Sequence, residues 1–213
     1  MKIQLRKPFF PSKSISDIQK KIKNVLESGQ LTLGKNVSEF EKNFAKYLNV
    51  KYAVAVSSAT AGLHISVLSL GIKKNDEVIV PAKTFISTAN AALYCNAIPK
   101  FCDVDDSTFQ LDPVKFEKMI SSRTKAVIPV HLGGNVCDMK AITKIAKKHS
   151  LAIIEDVSHA HGSIYDGKKA GTFGDMGVFS FYPDKIMSSS DGGIIVTNNH
   201  SIYQKLLLLR NVD

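Results

Sequence analysis

Residues 126–156 read AVIPVHLGGNVCDMKAITKIAKKHSLAIIED. A short apolar run, Ala126–Val130, gives way to a helical pattern over 138–149 and then to a second apolar run, Leu151–Ile154. Two strands that share a direction need a long crossover between them, and a helix is the usual one. The stretch therefore predicts one strand–helix–strand unit of a parallel sheet. Its second strand ends on Glu155-Asp156, and open sheets of this kind bind ligands beyond the carboxyl ends of their strands.

The same alternation extends in both directions. Strands are expected at Tyr52–Val56, Glu77–Val80, Ile98–Val104, Gly177–Phe181 and Ile194–Thr197, with helices around 60–70, 86–95, 113–121 and 200–210. Asp112-Pro113 is a good helix start, since aspartate caps free amides and proline suits the first turn. Alternation of this kind implies an α/β layered domain with a largely parallel sheet. Ahead of it, Ile15, Ile18, Ile22, Val25 and Leu26 fall at helical spacing, with Gly29 as a stop. Val37, Phe40, Phe44, Tyr47 and Leu48 repeat the pattern. The chain thus reads as one domain, with a helical segment over 1–50 and an α/β core over 51–213.

Of the 213 residues, 44% are apolar and 22% charged, which suits a globular chain with a sizeable core. No apolar run approaches the roughly 20 residues needed to cross a bilayer. The basic start, MKIQLRKPFFPSKS, lacks the apolar stretch and cleavage site of a signal peptide. A cytoplasmic protein with no membrane partner is expected. Cys95, Cys102 and Cys137 are widely spaced and form no C-x-x-C pair, so they read as reduced, buried thiols. The net charge of +9 could favour an anionic partner. But Lys20, Lys21, Lys23, Lys144, Lys147 and Lys148 are scattered along helices, with no arginine-rich run or aromatic RNA-binding motif. A solvated face accounts for the charge, and nucleic acid is not expected.

Three stretches carry chemistry. Ser57-Ser58-Ala59-Thr60-Ala61-Gly62 joins a strand end to a helix start, where free amides and the helix dipole can bind phosphate. The same serines and threonines also serve as plain caps. No ATP-type or dinucleotide glycine fingerprint is present. The Glu155-Asp156 pair reads either as a metal carboxylate or as the partner of a pyridine nitrogen, whose protonation makes the ring an electron sink. Lys185, in the turn after Phe179-Ser180-Phe181, reads either as a surface lysine or as a nucleophilic amine at a strand end. His159 and His161 lack the i, i+4 spacing of a helical metal pair, and no metal is expected.

Taken in order, these pieces resemble the DegT/DnrJ/StrS family of sugar aminotransferases. The segments LTLGKNVSEFEKNFAKYL, AVAVSSATAGLH, DEVIVPAKTF, AIPKFCDVD, TKAVIPVHLGG, IIEDVSHAHGS, KKAGTFGDMGVFSFYPDK and DGGIIVTNN carry the resemblance, collinear from about Gly34 to Asn211. It implies the large domain of the fold-type-I pyridoxal 5'-phosphate (PLP) enzymes, a three-layer α/β/α architecture. It also implies PLP as the cofactor, carried by Lys185, with Asp156 on the pyridine nitrogen and Phe85 stacked on the ring. Ala59 (through its amide), Thr60 and Ser180 would hold the phosphate, and His159 would lie beside the phenolic oxygen. Lys185 and Asp156 are then the catalytic residues. The implied reaction moves an amino group from glutamate onto a nucleotide-linked keto-sugar, in amino-sugar or polysaccharide biosynthesis, within a homodimer. Lys185 would act twice, as carrier and as acid/base.

Four departures from the family pattern stand out. Glycine usually stands at 59 and glutamine at 159, Ser190-Asp191 replaces a glycine–glutamate pair, and Asp184 is uncommon beside the lysine. Family members also continue into a smaller C-terminal domain, and the sequence reads as ending before it. A non-catalytic PLP-binding module is the alternative reading. A plain nucleotide-binding domain is disfavoured by the missing glycine fingerprints. Lysine rather than histidine at 185 argues against the dehydratase branch of the family.

Overall fold

The computed structural model describes residues 8–211; the basic start Met1–Lys7 and the last two residues, on which part of the reading of the chain ends falls, lie outside them. Two helices lead, α1 (Ser12–Ser28) and α2 (Lys35–Leu48). Then come β1 (Tyr52–Val56), α3 (Ala59–Ser69), β2 (Glu77–Pro81), α4 (Ser87–Leu93), β3 (Ile98–Cys102), α5 (Pro113–Met119) and β4 (Thr124–Val127). The unit that opened the reading closes with α6 (Met139–Lys148) and β5 (Ala152–Asp156). A small hairpin, β6 (Ile164–Tyr165) and β7 (Lys168–Lys169), precedes β8 (Met176–Ser180), β9 (Gly193–Thr197) and α7 (His200–Arg210).

Seven strands form one sheet in the order β1-β9-β8-β5-β4-β2-β3. β3, β2, β4, β5 and β8 run parallel; β9 runs antiparallel to both β8 and β1. All the strands except β9 therefore present their carboxyl ends at one edge.

Helices cover both faces, which is why the strands read as nearly continuous apolar runs. Side chains alternate between the two cores with period two. Val54, Ile154, Val178 and Ile195 pack toward α3, α4 and α7, against Leu63, Ala92 and Leu206. Their neighbours Ala53, Phe179, Ile194 and Val196 face α2, meeting Phe44 and Leu48. Farther along that face, Ile79, Val127 and Ile153 pack on Phe116 of α5 and Ile142 of α6.

Several expected boundaries move, for identifiable reasons. β4 ends at Val127 instead of Val130, because Pro129 has no N–H to continue the ladder; Val130 makes only an isolated bridge to Asp156. β3 ends at Cys102 instead of Val104, because the chain turns back to bridge Val104 with Leu111. That turn is wound around Asp105 Oδ1, which accepts from the amides and hydroxyls of Ser107 and Thr108. β8 is shifted one residue earlier, and β5 extends through Asp156. Asp112 caps α5 as expected, accepting from Val114 and Lys115.

The β6–β7 hairpin was not foreseen. Its turn is Asp166-Gly167, both at positive φ (46° and 75°), a pairing that favours two-residue hairpin loops. α1 is amphipathic as read, but none of its residues is buried among the described ones: Ile15, Ile18, Ile22 and Leu26 are exposed.

Candidate active site

The expected site residues arrive at the carboxyl edge of the sheet from four strand ends. After β1, Ser58 caps α3 by accepting the Ala61 amide at 3.1 Å. The Ala59 and Thr60 amides find no acceptor among the described residues, as helix geometry dictates for the first turn. They lie at the positive end of the helix dipole. The extra methyl of Ala59 belongs to the core on the α3 side. Behind the turn sits Gly193, the first residue of β9. A Cβ there would lie 2.7 Å from the Ala59 nitrogen, so the close approach of turn and strand requires glycine.

β5 ends in Glu155 and Asp156, which alternate to opposite faces. Asp156 is 5% exposed. Its Oδ1 accepts from the Ser158 hydroxyl (2.6 Å) and amide (3.1 Å), and its Oδ2 from the Thr88 hydroxyl (3.0 Å). A carboxylate offers about four acceptor positions, so these three donors leave one on Oδ2. Glu155 is fully buried. It accepts from the amides of Gly171 (2.8 Å), Phe173 (2.7 Å) and Gly174 (2.7 Å), and pairs with His131 Nε2 at 3.0 Å. His131 Nδ1 accepts the Cys137 amide, which assigns the ring hydrogen to Nε2, facing Glu155. Glu155 is thus a structural anchor, and of the two carboxylates only Asp156 keeps an acceptor position open at the candidate site.

After β2, the segment Thr84-Phe85-Ile86 leads into α4. Phe85 is 71% exposed at this edge. Ser87 meets Thr60 hydroxyl to hydroxyl at 2.8 Å, tying α4 to the start of α3. Thr88 ties the same helix to Asp156. The sequence reading singled out none of Ser87, Thr88 and Ser158. For Ser158 there was a local signal, because Asp-x-Ser is a spacing at which aspartate captures the following amide and hydroxyl. For the other two there was none.

β8 delivers Ser180, whose Oγ accepts the Tyr182 amide at 3.4 Å, and then the loop that bears Lys185. That loop is closed at its root: Phe181 N donates to Gly192 O (2.9 Å) and Ser189 N to Phe181 O (3.0 Å). Lys185 Nζ lies 3.4 Å from Asp184 Oδ1, with both side chains mostly shielded from solvent. His159 Nδ1 accepts the Gly133 amide at 3.4 Å, leaving Nε2 as the hydrogen-bearing nitrogen of the neutral ring. His161 stands edge-on to Phe179 at 5.5 Å. Burial first, aided by the nearby Lys185 charge and opposed by a hydrogen bond to the Ser180 backbone, pushes its pKa below the ordinary imidazole value. Asp191 stays on the rim, where its Oδ1 accepts the Gly192 amide at 2.8 Å.

Among the described residues, no group of three or more His, Cys, Asp or Glu is placed to hold a metal ion. Nor is any described helix long and apolar enough to cross a membrane.

A fold like this one is found in solved aminotransferase structures. DesV of S. venezuelae superposes with a TM-score of 0.89 at 37% identity, covering 98% of this chain and 58% of DesV. Spr1654 from Streptococcus pneumoniae, in its PLP form, superposes with a TM-score of 0.90 at 28% identity, covering 98% of this chain and 57% of its own. Among characterised sequences, a GDP-perosamine synthase of Caulobacter vibrioides is 46% identical over 179 residues, 84% of this chain and 48% of that protein. The chain belongs to the DegT/DnrJ/EryC1/StrS aminotransferase family, whose model matches residues 13–213. It spans about half the length of the curated relatives it matches.

Proposed function

We propose that this chain is the PLP-binding large domain of a transaminase that moves an amino group onto a nucleotide-linked keto-sugar. One observation carries the reading: of two adjacent buried carboxylates at a strand end, Asp156 alone keeps an uncommitted acceptor position. Around it stand a helix start with free amides, an exposed aromatic ring and a lysine in a closed loop. This donor set matches PLP group by group. The Ala59 and Thr60 amides, with the Thr60 and Ser180 hydroxyls, hold the phosphate. Phe85 covers the ring face, and Asp156 takes the pyridine N–H. His159 Nε2–H donates to the phenolic oxygen.

When bound, PLP supplies the electron sink that the reaction needs. The chain contributes position and charge. Lys185 Nζ would carry the cofactor and serve as the acid/base, with Asp184 Oδ1 3.4 Å away. Nucleotide-sugar substrate, glutamate as donor, a homodimer and a cytoplasmic setting belong to the same proposal. The names of the relatives support the nucleotide-sugar substrate; the rest is supported by the family resemblance alone.

Purified chain incubated with PLP is expected to develop a visible absorption band. Borohydride should then fix the pyridoxyl group on Lys185, as read by peptide mass mapping. Fixation on another lysine, or none at all, would overturn the assignment.

A further inference from the structure

We infer that Thr84 and Thr88 form a positioning device that locks Asp156 to the segment bearing Phe85. The inference rests on reading the site as a PLP site.

Thr88 has one hydroxyl hydrogen, and the Asp156 carboxylate can only accept. The 3.0 Å contact between them therefore consumes that hydrogen. The 2.8 Å contact between the Thr84 and Thr88 hydroxyls must then run the other way, with Thr84 donating. The line Thr84 to Thr88 to Asp156 has a single direction and ends on the carboxylate. It joins residues 68 positions apart in sequence at the Thr88–Asp156 step. Thr84 immediately precedes Phe85, and Thr88 follows it within one helical turn. The same hydrogen-bonded line thus fixes both the group expected against the ring face and the group expected at the ring nitrogen.

Helix formation does not account for threonine at 88. The residue is fully buried, and alanine or leucine would favour the helix more. Helical threonines commonly return their hydrogen to the carbonyl one turn back, but Thr88 sends its hydrogen across to β5. Ser158 restrains the other carboxylate oxygen. With both oxygens held, the carboxylate cannot rotate about its side-chain bonds without losing a charge-assisted hydrogen bond, the stronger kind in a buried site. Each hydroxyl is a separate restraint, so removing one should loosen Asp156 without removing its charge.

The test compares Thr88→Val, which keeps shape and burial, with Thr88→Ser, which restores the hydroxyl. Each protein is loaded with PLP and its visible absorption titrated against pH. The Thr88→Val titration should move by on the order of one pH unit, the scale of one hydrogen bond to a charge. PLP retention should stay within about tenfold of the parent, and Thr88→Ser should return the midpoint toward it. Thr84→Val removes only the donor behind Thr88 and should give a smaller shift of the same sign; it serves equally if Thr88→Val does not fold. A parent protein that never fixes PLP on Lys185 overturns the reading of the site, and this inference with it. A parent that does, with valine variants that titrate identically to it, overturns the inference alone.

Discussion

On one side of the end of β5, Glu155 is surrounded by donors that belong to the backbone: three amides of the 171–174 loop, joined by His131. On the other side, one residue later, Asp156 is held by hydroxyls from α4 and the following turn and by one amide, with an acceptor position to spare. The two carboxylates share a strand, near-complete burial and nearly a chemistry. They differ in what holds them. A carboxylate whose acceptor positions are all taken, three of them by backbone amides, defines the path of the chain and has nothing left for a ligand. One that is held short of saturation has a binding valence left over. Side-chain hydroxyls also allow that state to be adjusted by substitution, which amides do not.

The comparison is broken most directly at Asp156. Asparagine there keeps the shape and removes the charge. The expected result is a loss of amino-group transfer on the order of a thousandfold, about 4 kcal/mol of barrier, with PLP retention and the urea midpoint little changed. Near-normal turnover would show that Asp156 is as structural as its neighbour. The mirror experiment is Glu155→Gln, which turns an NH2 toward amides that need an acceptor. Roughly 3 kcal/mol of folding stability should be lost, measured by urea unfolding. An unchanged midpoint would mean that the 171–174 loop does not depend on the carboxylate.

A third carboxylate sharpens the contrast with a smaller effect. Glu77, at the opposite edge of the sheet, is held by Ser121 (2.6 Å) and Thr124, and by the cations Arg123 (2.7 Å) and Lys100 (3.3 Å). The Ser121 hydrogen bond, aided by Lys100 and Thr124 against the opposing effect of burial, holds its carboxyl below the ordinary glutamate value. A carboxylate depressed in the folded state stabilises above its unfolded pKa, and the benefit is lost as pH falls through the folded one. Glu77→Gln should therefore lower the urea midpoint at pH 7, by less than Glu155→Gln does. The gap from the parent should close as pH drops below the usual glutamate range. A gap that persists in acid would show that Glu77 stabilises by shape and not by charge.

The alternation of apolar runs with helical spacing was enough to expect all seven main strands, because most of them are buried on both faces, although the edge strand β3 is not. The places where that reading went astray are places where backbone chemistry intervened: the missing N–H of Pro129, and the Asp105 turn that reverses β3 early. Lys185, Asp156, Ala59, Thr60, Ser180, Phe85 and His159 could be singled out as candidates because each lies within a short recognisable block next to a strand end. Thr88 and Ser87 were not, since a hydroxyl inside a helix looks the same in sequence whether it faces solvent or a carboxylate 68 residues away. The division of labour between Glu155 and Asp156 was half legible. Strand alternation guaranteed that they face opposite sides, but which side holds the ligand depends on where α4 packs.

The loop from Phe181 to Gly192 is tied at its base by Phe181 N to Gly192 O and by Ser189 N to Phe181 O. The β8–β9 ladder below that base is paired from Ser180↔Gly193 down to Gly177↔Val196. Between them these contacts act as a gasket between loop and ladder. Replacements at 186–188 are therefore expected to reshape the loop that carries Lys185 while the register of the sheet beneath stays as it is.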